Sequence, residues 1–335
     1  MTITTDQDTI RCPVTLRNPF TLDHLPLLSR LHQAAFRPRR RLSKRFVGKP
    51  AKRLFRLLLA LGTGGTGRVR VDTANGSKMV GFNARNTQFG AFYQPQNLPL
   101  YEPETSTLLD RLVADGDVFY DIGANWGWYA VLIASRPSFR GKVHAFEPFP
   151  STFSDLSQMV GQAGLDGAIA CHDIALADRD GEAGMAFSDG VQSGLARLGE
   201  AGGTTVRLAR LDSLTLPPPD VIKIDAEDHE LEVLIGATRV IETARPTIVF
   251  ENWLHRDRPG LTLDPIAFLA DRSYRFFLPG WVCGDPNCIL AAPGDSTELA
   301  LVPFRPEQRF QLPSQLNIVA VPEEKLAAFA GRFTP

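Results

Sequence analysis

The sequence predicts an α/β protein in the Rossmann-like manner, with a mostly parallel sheet carrying helices on both faces. Three observations lead there. Short apolar runs (VFYDIG, KVHAFEP, DVIKIDAED, PTIVFEN) recur along the chain, as strands buried on both faces require. Segments of helical spacing separate them. Polar, acidic or glycine-bearing residues close each run, at the carboxyl ends where open parallel sheets bind ligands. With 335 residues, 44 % hydrophobic and 22 % charged, the chain can bury one sizeable core and does not read as disordered.

Residues 1–68 are expected to form a basic N-terminal extension. The opening MTITTDQDT lacks the layout of a signal peptide, and LLLALG is too short to span a bilayer, so a cytoplasmic location is expected. From His24 to Val71 there is no Asp or Glu but thirteen Lys and Arg; a net charge of -1 then leaves -14 for the remainder. Such a segment, interleaved with Leu and Phe, suits a solvated arm over the acidic remainder, an anionic membrane face, or nucleic acid. Peripheral membrane contact is expected, and a nucleic-acid partner is not.

GTGGTG is a flexible joint, and residues 69–100 are expected to be a β-hairpin and connector, because RVRVDTANGSKMVGF alternates around Asn-Gly. Residues 101–335 are expected to form the main domain. There PETSTLLDRLVADGD predicts a helix ending at Gly116, then VFYDIG a strand, WYAVLIAS a helix and KVHAFEP a strand. PSTFSDLSQMVGQAG predicts a helix starting near Pro150 or Ser151, IACHDIAL a strand, and short strands follow near Met185 and Val206. After LDSL and the turn LPPP come strand DVIKIDAED, helix HELEVLIGATRVIETA, strand PTIVFEN, helix LDPIAFLADRSY and strand RFFLPG. The Pro-rich stretch from AAPGDS to VPFRPEQRFQLPSQ predicts a lid or a long loop before strand LNIVAVP and helix EEKLAAFAG. Cys12, Cys171, Cys283 and Cys288 make no disulfide scaffold. Cys283 and Cys288 flank GDPN at a spacing that suits a metal pair, but no second pair or histidine completes one, so a plain turn is expected.

The glycine turn decides the chemistry. A dinucleotide turn reads GxGxxG, whereas this one reads Asp121-x-Gly123-x-Asn125-x-Gly127. A carboxylate at Asp121 would repel a pyrophosphate and suits an α-ammonium or a sulfonium. Gly123 permits positive φ or close approach, and Gly127 lets the next helix pack closely. Glu147, at the end of the next strand, lies where an acid bonds a ribose diol. Together the two acids describe an S-adenosylmethionine site, and NAD fits less well because of Asp121.

The run VFYDIGANWGWYA…GKVHAFEPFP…IALADRDG…RLDSL…DVIKIDAEDHELEVLIGA…PTIVFEN resembles the FkbM family of S-adenosylmethionine-dependent methyltransferases, from roughly Asp117 to Asn252. The resemblance implies a class I methyltransferase-like fold and methylation of hydroxyls on sugars, glycolipids or polyketides. It implies that Asp121, Gly123, Asn125 and Gly127 line the methionine and ribose, that Glu147 takes the ribose hydroxyls, and that Asp173 approaches the adenine amino group. Phe149 would stack on adenine or simply pack. Two residues depart from the family pattern: Asp228 stands where a glycine is usual, which would narrow the substrate site or charge it, and Phe149 stands where an asparagine is usual.

Methyl transfer to a hydroxyl needs positioning and a base or a metal. IDAEDHE supplies Asp225 and Glu227, expected to face the cleft, and His229 as a base, while Asp228 and Glu230 also suit a helix N-terminus. Glu251 and Asn252 end the next strand. These carboxylates are the oxygen ligands a divalent cation takes, but no metal site is expected. Trp126 and Trp128 suit a stacking wall or the core, and Gln192 and Ser193 an acceptor loop. The expected function is an S-adenosylmethionine-dependent O-methyltransferase acting on a glycan or glycolipid hydroxyl. Its rival is a non-catalytic S-adenosylmethionine-binding protein that recruits a membrane or a partner through the basic arm. A nicotinamide oxidoreductase would need a glycine pattern this turn lacks.

Overall fold

A computed structural model of the chain describes residues 9–36, 44–187, 196–198, 204–282 and 298–333. The N-terminal part contains β1 (Ile10–Pro13), β2 (Phe20–His24), α1 (Leu27–Phe36), α2 (Lys49–Ala60) and the hairpin β3 (Thr66–Thr73) and β4 (Gly76–Asn83). The hairpin turns at the expected Asn-Gly, where Gly76 takes φ +91°, and β2 adds a third strand to it. Next come α3 (Pro103–Leu112), β5 (Val118–Ile122), α4 (Trp128–Ala134), β6 (Lys142–Phe146), α5 (Pro150–Ala163) and β7 (Ile169–His172). A small sheet follows, from β8 (Ala175–Leu176), β9 (Gly181–Phe187), β10 (Ala196–Leu198) and β11 (Thr204–Ala209). The chain then forms β12 (Val221–Ile224), α6 (Glu230–Gly236), α7 (Thr238–Ala244), β13 (Thr247–Trp253), α8 (Pro259–Ala270), β14 (Tyr274–Trp281), β15 (Glu298–Phe304), β16 (Gln315–Pro322) and α9 (Leu326–Gly331).

The central sheet has nine strands in the order β1-β15-β14-β16-β13-β12-β5-β6-β7. Strands β13, β12, β5, β6 and β7 are parallel, and β16 runs antiparallel between β13 and β14. This is the doubly wound, class I methyltransferase-like architecture expected from the sequence. Side chains alternate between its faces, as strand geometry dictates. Phe119, Val221 and Val249 join α3, α4 and α5 on one face, whereas Tyr120, Ile222 and Ile248 join α6, α7 and α8 on the other.

Three details differ from expectation, each for a packing reason. β1 pairs with β15 in the central sheet and β2 with β3 across residue 68, so neither 68 nor 100 separates independent packing units. The long helix expected from His229 breaks at Ala237, because Gly236 backs onto β8: a Cβ there would lie 1.9 Å from the Ala177 carbonyl oxygen. The Pro-rich stretch is also not all loop. Its ELALVPF forms β15, buried between β1 and β14.

Candidate active site

The carboxyl ends of β5, β6, β12 and β13 open into one cavity. Its first half is built from backbone. After β5 the chain turns under β6, with the Gly123 and Ala124 amides donating to the Phe146 carbonyl at 3.0 and 2.9 Å. Gly123 has φ +76°, and a Cβ on it would meet the Asp225 carbonyl oxygen at 1.8 Å, so no other residue fits. Asn125 also takes a positive φ of 51°. That conformation aims its amide at Glu147 Oε2, 3.0 Å away, while the Phe149 amide donates to Glu147 Oε1 at 2.9 Å. Two backbone donors thus fix the Glu147 carboxyl on the cavity wall. Burial pushes its pKa up to about 7 against the pull of those donors.

Asp121 sits behind this wall rather than on it. It is 1 % exposed, and its Oδ2 accepts the Ala130 amide at 3.1 Å in the first turn of α4. Burial pushes Asp121 up to about 7, opposed by Lys223 and the Ala130 amide. Gly127 is likewise behind the wall, where it starts α4 at φ +96° with Leu156 2.7 Å from where its Cβ would be. Asp173 points elsewhere: exposed, it pairs with Arg207 at 3.3 Å, while the adjacent Ile174, Ala175 and Leu176 reach the wall. Phe149 packs against the apolar cluster around Ala175, Met185 and Val206.

The second half is built from side chains. Asp225, Glu227 and His229 all line the cavity, as does Glu251 from β13. Behind them lies Lys223, 0 % exposed, whose Nζ is 3.5 Å from Asp225 Oδ2 and donates to the Ile224 carbonyl at 3.2 Å. Burial works against this ammonium, but Asp225, Glu102, Glu251 and Asp121 together hold its pKa above the ordinary value. Tyr129 Oη donates to Glu102 Oε2 at 2.7 Å, which fixes a further carboxylate on the wall. Trp253 Nε1 donates to Glu251 Oε2 at 2.8 Å and Gln315 donates to Oε1. Burial, reinforced by Asp225 and opposed by Lys223, pushes Glu251 up to about 9, so it keeps its proton near neutrality. Sequence reasoning missed Tyr101, Glu102, Tyr129, Lys223, Trp253 and Gln315. Only Lys223 had a visible signal, as a lone cation inside the apolar run VIKI.

Glu227 and Asp228 are consecutive left-handed residues (φ 51° and 75°), which accounts for a glycine being usual at the second. Asp228 is not on the cavity wall; its Oδ1 meets His255 Nε2 at 2.6 Å, so it neither narrows nor charges the cavity. Glu230 is buried and accepts the Ala226 amide at 3.0 Å, and burial pushes it up to about 7. Asn252 turns away to accept from Arg309 Nε at 2.5 Å. Trp126 and Trp128 belong to the core, buried with Phe20 and Phe92, and their edges reach the wall. Gln192, Ser193, Cys283 and Cys288 lie outside the described residues. Among the described residues, no group of three or more His, Cys, Asp or Glu side chains could hold a metal ion.

Residues 121–276, from the acid of the glycine turn to β14, match the methyltransferase FkbM domain. The match spans a little under half of the chain. Over 152 residues the chain is 30 % identical to the hexuronic acid methyltransferase AglP of Haloferax volcanii, a stretch covering 44 % of this chain and 61 % of that protein. The chain therefore spans less than two thirds of that relative's length. Among solved structures, the FkbM methyltransferase of Methylobacillus flagellatus KT overlaps 56 % of this chain and 44 % of its own (18 % identity, TM-score 0.38). The O-methyltransferase TomG of Streptomyces achromogenes, solved with S-adenosylmethionine, overlaps 64 % and 85 % (16 % identity, TM-score 0.37). The matched segment contains every wall residue from β5 to β13 but not Glu102 or Gln315, which flanking segments contribute.

Proposed function

We propose that the chain is an S-adenosylmethionine-dependent O-methyltransferase acting on a hydroxyl of a saccharide-type acceptor, and that its basic segment holds it at an anionic membrane face. One observation carries this reading: the Glu147-anchored glycine turn and the Asp225, Glu227 and His229 side chains share one cavity wall. In this reading the carboxyl of Glu147 accepts from the ribose diol of the cofactor. Asp121 sets the start of α4 and acts through position rather than contact. Bound S-adenosylmethionine would supply an electrophilic methyl group on a sulfonium. The chain's own residues orient the acceptor and take its proton. Glu251 already holds a proton, so His229 is the base, and Asp225 and Glu227 orient the acceptor's hydroxyls.

The wall also bears on acceptor charge. Among the described residues it carries Glu102, Glu147, Asp225 and Glu227, beside the protonated Glu251, but no Lys or Arg. An uncharged or amino sugar therefore fits better than the hexuronic acid named for the Haloferax relative.

Thermal unfolding with S-adenosylmethionine, S-adenosylhomocysteine and NAD tests the cofactor; a ligand at a hundred times its Kd adds about 2.7 kcal/mol. Stabilisation by the two adenosyl ligands alone is expected, and stabilisation by NAD alone would overturn the reading. With S-adenosylhomocysteine bound, methyl glucoside or methyl glucosaminide should bind better than methyl glucuronide. The reverse order would overturn the charge argument. Methyl transfer that survives unchanged in His229→Ala would remove the base assignment.

A further inference from the structure

Helix α2 is amphipathic twice over. At 3.6 residues per turn its residues divide into three sectors. Ala51 and Phe55 are buried, and Phe55, with Leu58 and Leu59, packs on Leu28 of α1 and Ala84 beyond β4. A second sector holds Lys49, Lys52, Arg53 and Arg56, of which all but the half-buried Lys52 are exposed. The third is apolar and faces outward: Pro50, Leu54, Leu57 and Leu61 are exposed at spacings of four, three and four, and Val47 continues the stripe one turn earlier.

Exposed large apolar side chains are concentrated here. Leu27, Phe36, Phe46, Val47, Leu54, Leu57 and Leu61 all belong to this helical unit, whereas few others are scattered over the remaining described surface. A helix that needed only its core contact would carry polar residues on such a stripe. No acidic residue lies between His24 and Val71 to oppose an anionic surface. The unit is also fastened to the cavity. His32 Nδ1 of α1 lies 2.8 Å from Tyr93 Oη, just after the short helical turn Thr87–Phe92 that brings Gln88 to the cavity wall.

We infer that α2 lies flat on an anionic phospholipid surface, with Val47, Pro50, Leu54, Leu57 and Leu61 between the lipid chains and Lys49, Lys52, Arg53 and Arg56 at the phosphates. This rests on the membrane contact included in the proposed function, and it makes that contact an insertion rather than a charge-only attraction. It also identifies the acceptor class as membrane-borne: a saccharide on a lipid carrier, delivered beside Gln88.

The test is co-sedimentation of the full chain with phosphatidylcholine vesicles, with and without phosphatidylglycerol, at low and high salt. The wild-type chain should pellet with the anionic vesicles and keep a substantial bound fraction at high salt. Leu54→Ser/Leu57→Ser/Leu61→Ser changes three exposed side chains, so it should fold normally, bind S-adenosylhomocysteine as the wild type does, and partition at least ~10-fold more weakly. Arg53→Gln/Arg56→Gln should weaken binding mainly at low salt. Binding that is lost at high salt and indifferent to the three leucines would overturn insertion while leaving membrane contact intact. No binding to either vesicle, with self-association that the leucine variant abolishes, would make the stripe a protein interface and overturn both. Retained S-adenosylhomocysteine affinity in every variant keeps these outcomes separate from the cofactor reading.

Discussion

The two halves of the cavity are made by different means. In the half formed by the turn after β5 and the end of β6, positions are set by backbone: Gly123 at φ +76°, Asn125 at φ 51°, and two amides on Glu147. In the half at the ends of β12 and β13, Lys223 gathers Asp225, Glu102 and Glu251, side chains from separate parts of the chain. The first half is rigid because its conformations exclude other residues. The second is held by a buried ammonium beside acids of which Glu251 keeps its proton near neutrality, so it should depend on pH and on any one partner.

The largest effect should come from breaking the backbone half. Gly123→Ala places a Cβ 1.8 Å from the Asp225 carbonyl oxygen, in a left-handed conformation, and that contact is with backbone rather than a movable side chain. A loss of at least ~4 kcal/mol in urea unfolding, or failure to fold, is expected. Gly127→Ala meets only the end of Leu156, and should cost about 1–2 kcal/mol. Equal losses at the two glycines would refute the distinction. In the side-chain half, Lys223→Met removes the shared cation and should cost about 3 kcal/mol. Much of that loss should return as pH falls below about 7, where Asp121 and Glu251, pushed further up once the cation is gone, both hold their protons.

The two acids of the turn sharpen the contrast further. Glu147→Gln keeps the size of the wall residue but loses a charged acceptor, so S-adenosylhomocysteine should bind ~10- to 100-fold more weakly. Asp121→Asn, behind the wall, should change affinity by no more than a few-fold in calorimetry. Equal losses would put Asp121 in contact with the ligand.

The halves should also separate by pH. Folding raises Glu147 to about 7 and Glu251 to about 9, above their ordinary values, so the folded chain retains protons that the unfolded chain releases. Their contribution is therefore fully present below about pH 4 and is lost as pH rises through the folded values. In unfolding measured from about pH 4 to about pH 10, Glu147→Gln should flatten the fall that ends near pH 7, and Glu251→Gln the part that continues to about pH 9. A profile unchanged by either would mean that the two carboxyls ionise freely in the folded chain.

What was legible in the sequence follows the same division. The succession of strands along the chain, the turn and Glu147 were readable because strand periodicity and glycine spacing are local. Asp121 was readable as a residue but not as a contact, since one turn of α4 decides which way its carboxyl faces. Glu102, Gln315 and Trp253 were not readable: they come from segments far apart in sequence that meet only when the sheet closes. β15 hid behind prolines, because pairing with β1 and β14 rather than its own propensity makes it a strand. Asp173, read as an adenine contact, is taken by Arg207, which lies on another strand.

The smallest expected effect concerns Asp228, where the family pattern has glycine. Its backbone lies at φ 75° and its side chain meets His255, away from the cavity. Asp228→Gly gives up the pair with His255 but relieves a left-handed conformation worth about 1 kcal/mol, so its net stability should stay within about 1 kcal/mol of the wild type. Asp228→Ala gives up the same pair and keeps the strain, and should be about 1 kcal/mol less stable than the glycine variant. Because neither change touches the wall, acceptor KM should move by less than about twofold in both. A larger KM change in Asp228→Gly, with stability preserved, would mean that the acceptor reaches past His229 to the His255 pair, and that the side-chain half extends beyond the cavity described for it.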